Sequence, residues 1–121
     1  MIGLGAYKIL HLAAVVGLFG ALGGVAVHAA NGLAREQNAV RRPIAVLHGL
    51  SLLLILVSGF GMLARLDAGL PGWAIAKLVL WFLVGGLLAL PYRVPSLARP
   101  VLWALPLVGA LAAWLAIAKP F

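Results

Sequence analysis

Cysteine is missing from all 121 residues, which excludes disulfides, thiolate metal sites and iron–sulfur clusters. Acidic side chains are nearly missing too: Glu36 and Asp67 stand against nine lysines and arginines. They fall in loops expected on opposite membrane faces, so they cannot pair as the acid and base of a hydrolase. Zinc is disfavoured on the same count, since three histidines and two separated carboxylates make a poor ligand set. No G-x-S-x-G, G-x-x-x-x-G-K-[ST] or G-x-G-x-x-G stretch occurs, which leaves serine hydrolysis and nucleotide binding without support. Polar surface is scarce as well. With 9% charged residues, 65% hydrophobic residues and a mean hydropathy of +1.18, the chain has too little of it to cover a globule in water, and its solvent is lipid.

Four apolar runs are present, at residues 3–30, 44–66, 73–91 and 101–118. Each is near or above the about 18 residues that cross a hydrocarbon core of about 30 Å. Each is expected to be helical, because lipid offers the backbone no hydrogen bonds and the runs lack the alternation of a barrel strand. The prediction is one all-α domain over residues 1–121, an integral membrane up-and-down four-helix bundle. The first run is too long for a signal peptide and has no basic region ahead of it. Asn31-Gly32 is placed to end helix one, Pro43 fits the first turn of helix two, Pro71-Gly72 precedes helix three, and Pro91, Pro95 and Pro100 bracket the last loop. Pro106, inside helix four, is expected to kink it.

The net charge of +7 is scattered and makes no nucleic-acid patch. It reads as topology. Residues 31–43 carry Arg35, Arg41 and Arg42, and residues 91–100 carry Arg93 and Arg99; by the positive-inside rule these two loops face the cytoplasm and both termini lie outside. Tyr7, Trp73, Tyr92 and Trp103 sit near helix ends, as interfacial aromatics do. Small residues that let transmembrane helices approach recur in every run: Gly17, Ala21 and Gly24 with His28, the pair Gly20 and Gly24, Gly59 and Gly61, Gly85 and Gly86, and Gly109 with Ala112, Ala113 and Ala116. Such faces suit a compact bundle, a membrane-protein partner or a homo-oligomer.

Ionisable groups inside a bilayer cost roughly 2.5 to 3.5 kcal/mol on insertion scales, so each one invites a functional reading. Counting depth at about 1.5 Å per residue sorts them into two levels. His11 and Lys77 share the outer level; His28 and His48 share the inner one. Lys8 marks the outer boundary of helix one, where its stem can snorkel to the headgroups. Lys77 lies one turn from both Trp73 and Trp81, so an aromatic stripe can shelter it. His11 and Lys77 together could exchange a proton or hold an anionic group such as a propionate, and they are the candidate catalytic pair. His28 and His48, on two facing helices, are candidate axial ligands for haem b, with Gly17, Ala21, Gly24, Gly49 and Ser51 leaving room for a flat macrocycle. Each of these groups also has a plain alternative: an imidazole bonded to a neighbouring helix, or a lysine reaching water.

The stretches YKILHL (residues 7–12) and GWAIAKLVLW (residues 72–81) resemble the HemJ-type protoporphyrinogen oxidases and the CopD-type four-helix membrane proteins. The matching positions are Lys8, His11, Trp73 and Lys77. A HemJ-type resemblance implies haem association and oxidation of a porphyrinogen, with the histidine and the helix-three lysine as functional residues, while HGLSLLLILVSGFGMLARL (residues 48–66) and LPGWAIAKLVLWFLVGG (residues 70–86) resemble small bacterial membrane proteins, for which the inner membrane is the expected place. A CopD-type resemblance implies copper handling. The latter half of helix one departs from the HemJ pattern, with GLFGALGGVAVH where an aromatic, arginine-bearing stretch is expected. Three readings follow: a haem- or porphyrin-associated redox or assembly protein, a cofactor-free accessory subunit of a larger respiratory or transport complex, and copper or small-solute handling, for which two methionines and three histidines are few ligands.

Overall fold

A computed structural model describes residues 2–121. The chain forms helices α1 (Leu4–Ala30), α2 (Arg41–Arg65), α3 (Gly72–Gly86), a single turn α4 (Leu90–Arg93) and α5 (Ala98–Ala118), with 3₁₀ turns at Arg35–Gln37 and Pro95–Leu97. Among the described residues there is no strand. Three helices are long and apolar enough to cross a membrane: α1, α2, and α5 together with the turn before it.

The sequence boundaries shift for identifiable reasons. Helix two begins at Arg41 and helix four at Ala98, each a few residues earlier than the apolar run. Pro43 and Pro100 therefore fall in first turns, where the backbone N–H has no helical partner to lose. The third run, predicted as one helix over 73–91, stops at Gly86. Two consecutive glycines weaken the helix there; the Leu87 N–H bonds back to the Val84 carbonyl at 3.2 Å, and the chain turns before resuming as α4. At 15 residues α3 is only about 22 Å long.

Packing is centred on α1, whose residues Ala14, Leu18, Ala21, Leu22, Val25, Ala26 and Ala29 are buried at three- and four-residue spacing. It lies against α2 on one side and α5 on the other, while α3 bridges α5 and α2. Leu18 and Leu22 meet Val84 of α3 and Leu105 of α5 in the core. Contacts fix alternating directions. Tyr7 at the start of α1 touches Gly61 near the end of α2, Phe121 after α5 touches Gly72 at the start of α3, and Tyr92 reaches back to His28 at the end of α1. The start of α1, Phe121 and the α2–α3 loop thus share one end of the molecule, and the arginine-bearing loops share the other.

The exterior is oily. In α2 the buried residues are His48, Ser51 and Ser58, whereas Leu50, Leu53 and Val57 are more than half exposed. Ile9, Val16, Phe82, Trp103, Leu107 and Ile117 are exposed on the other helices. Apolar-out and polar-in is the arrangement of a chain surrounded by lipid.

Candidate functional site

Between α1, α2, α3 and α5 the bundle does not close. A cavity of about 430 Å³ opens at the terminal end, and a second of about 280 Å³ lies next to it against α5. Six residues line both: His11, Ile55, Lys77, Trp81, Ala116 and Ile117. His11 and Lys77 therefore stand where the two chambers of one cleft meet. They are also near enough to act on one another electrostatically.

Helix α1 fixes the imidazole through its neighbour in space. The edge of the His11 ring lies over Gly59, with Cε1 at 3.7 Å from where a Cβ would be, and Nδ1 is 2.9 Å from Ser58 Oγ. Ser58 is fully buried and gives its hydroxyl proton to its own helix, 2.6 Å to the Leu54 carbonyl. With that proton committed, Ser58 can only accept from the ring, so His11 carries its hydrogen on Nδ1. The same ring lies within hydrogen-bond reach of the Ile55 carbonyl and edges both chambers.

Lys77 comes from α3, which is held to α2 by two side-chain bonds running in opposite directions. Trp81 Nε1 donates to the Leu52 carbonyl at 2.9 Å, and His48 Nε2 donates to the Val84 carbonyl at 3.3 Å. The Lys77 ammonium makes no hydrogen bond and no ion pair among the described residues. Around it the larger chamber carries Lys8 and Lys119 as well, and no carboxylate. The smaller chamber is walled by Leu18, Phe19, Val84 and Val108 and by the small residues of α5. Gly109, Ala112, Ala113 and Ala116 thus line open space rather than a tight helix contact, contrary to the packing expected of them.

His28 and His48 are placed differently. His28 Nδ1 lies 2.7 Å from the Tyr92 hydroxyl, which also accepts from Asn38 Nδ2 at 3.3 Å, and the two rings meet edge to face at 5.7 Å. His48 is 6% exposed and uses Nε2 on Val84. Neither lines either chamber. The room expected beside them is also filled: a Cβ on Gly17 would come within 2.7 Å of Ser51 Oγ, and Ala21 and Ser51 are 2% and 3% exposed. As arranged, these two imidazoles do not fit a bis-histidine haem site, because α1 and α2 meet too closely where a macrocycle would lie. Among the described residues no group of three or more histidine or acidic side chains could hold a metal ion.

Reading the sequence by depth paired His11 with Lys77 and set Trp81 beside that lysine, but missed Ser58 and Lys119. Ser58 carried a signal, since it shares a helical face with His48 and Ser51. Lys119 carried none, because its position depends on how the chain turns after α5. Comparison with protein-family models, with curated proteins and with solved structures finds no match for this chain.

Proposed function

We propose that the protein is a small multi-pass protein of the bacterial inner membrane that holds an apolar, acid-bearing ligand of the haem or porphyrin class in the cleft between α1, α2, α3 and α5. One observation carries this reading: an ammonium with no anionic partner among the described residues and an imidazole stand together where two apolar chambers join. An unpaired cation in an oily wall is costly unless an anion reaches it, and a tetrapyrrole propionate is such an anion. The macrocycle would lie against Trp81, Phe19 and the small residues of α5, with the acid group on Lys77. His11 Nε2 would accept a proton from a ring N–H of a metal-free tetrapyrrole. With haem b, the same nitrogen is the one imidazole available to ligate the iron, and the group would then supply one-electron redox chemistry.

In the same reading α3 and the turn that follows it complete a fourth crossing, the arginine-bearing loops are cytoplasmic and both termini lie outside. Because the chain has no cysteine, single cysteines introduced at Gln37 and at Ala68 test this: an impermeant thiol reagent should reach only Ala68→Cys in intact spheroplasts. Titrating the detergent-purified protein with protoporphyrin IX and with haemin tests the ligand. Saturable spectral change, weakened in both Lys77→Ala and His11→Ala, is expected; absence of binding, or binding indifferent to both substitutions, overturns the reading.

A second reading, an accessory subunit packed against a larger membrane partner or a second copy, is favoured by Gly20, Gly23 and Gly49, which have open space where a Cβ would be. Co-purification of a stoichiometric membrane protein that is lost in Gly20→Leu would support it, and a lone monomer in native-detergent mass measurement would remove it.

A further inference from the structure

The chain does not simply leave the membrane after α5. Lys119 adopts φ +48° and ψ 59°, with its N–H bonded to the Leu115 carbonyl at 3.1 Å. A left-handed conformation is unfavourable for a residue with a side chain and persists where the surroundings over-determine it. Here they do. The reversal folds Phe121 onto the start of α3, where its carbonyl accepts from the Trp73 N–H at 3.1 Å. A Cβ on Gly72 would come within 2.8 Å of the Phe121 ring and 3.3 Å of its carbonyl oxygen. Glycine at position 72 is what lets the tail seat there.

One consequence concerns Lys119 itself. The turn brings its Nζ over the face of Trp73, 5.5 Å from the ring centre, on the lining of the larger chamber. Lys77 lies one turn further along the same α3 wall. The chamber thus has two ammonium groups on its lining, and no side-chain carboxylate among the described residues shares it. A cation on an aromatic face is held more weakly than one hydrogen-bonded to a carboxylate, so an arriving acid group would draw Lys119 from the ring.

We propose that Lys119, delivered by the docked tail, selects ligands that carry a second acid group. The inference rests on the functional reading above and adds the charge of its ligand: a tetrapyrrole diacid, with one carboxylate on Lys77 and the other on Lys119.

Protoporphyrin IX, its monomethyl ester and its dimethyl ester are titrated into the detergent-solubilised full chain and its variants. The unaltered protein should prefer the diacid over the monoester by about tenfold, the scale of one charge-assisted hydrogen bond. Lys119→Ala should abolish that preference, and Lys119→Arg should restore it. Gly72→Val keeps Lys119 but displaces the tail, and should behave as Lys119→Ala does. Equal affinity of all three compounds for the unaltered protein, or a diacid preference that survives in Lys119→Ala, overturns this proposal and leaves the cleft as a tetrapyrrole site. Failure of every compound to bind the unaltered protein overturns the functional reading itself, and this proposal with it.

Discussion

The two ends of this bundle use the same residue types in opposite ways. At the arginine-loop end, His28, Tyr92 and Asn38 satisfy one another, and His48 caps the last turn of α3 through the Val84 carbonyl. These polar groups fasten helices and loops together. At the terminal end, His11 is oriented by Ser58 yet edges both chambers, and Lys77 meets a chamber instead of an acceptor. A polar side chain in an apolar helix therefore says little until its hydrogen bonds are followed to their end. Where they close on the protein they stabilise it; where they stay open beside a cavity they are available to a ligand.

Substitutions can break or sharpen that contrast. The largest effect is expected from Lys77→Ala, which should weaken tetrapyrrole binding by about 10- to 100-fold, the range for a hydrogen bond to a charged group. His28→Ala should leave the same titration unchanged, and equal losses in the two would erase the distinction between the ends. Gly17→Val comes next. Its side chain would push into Ser51 Oγ and Leu47 at the closed α1–α2 contact, and should lower stability in detergent by about 1 to 3 kcal/mol, as overpacking does. A stable Gly17→Val would show that the contact has slack after all. Tyr92→Phe should cost about 1 kcal/mol by removing the hydroxyl that His28 and Asn38 share, with ligand affinity untouched. Smallest is Lys8→Ala. This lysine is exposed at the chamber rim, so its loss should shift affinity by about twofold or less, within the range of surface substitutions, whereas His11→Ala should cost clearly more in the same assay.

Much of the fold could be read because lipid imposes simple rules. A long apolar run must be a helix when water is absent, and the prolines and the Asn31-Gly32 pair punctuated those runs close to their observed ends. The third run misled for a local reason: Gly85 does pack against Leu52 of α2, but two glycines in succession also weaken the helix, and α3 stops at Gly86. Tyr92 likewise looked like an interfacial aromatic and proves to be the hydroxyl partner of His28. Depth counting placed His11 with Lys77 correctly because both lie one to two turns from the same end. It failed for His28 and His48: α1 and α2 run antiparallel with Gly17 beside Ser51 and Gly24 beside Ile44, which sets His48 about two turns from the level of His28.

By itself, then, the sequence determined the solvent, the helical class and the approximate spans, since each follows from chain-local hydropathy and rise per residue. The tertiary structure alone decided which small-residue faces close and which line a cleft, which histidine faces that cleft, and that Lys119 returns over Trp73. Those outcomes depend on helix rotation and on one left-handed residue at a helix end. Both are fixed by contacts between segments far apart in the chain, which hydropathy and spacing do not encode.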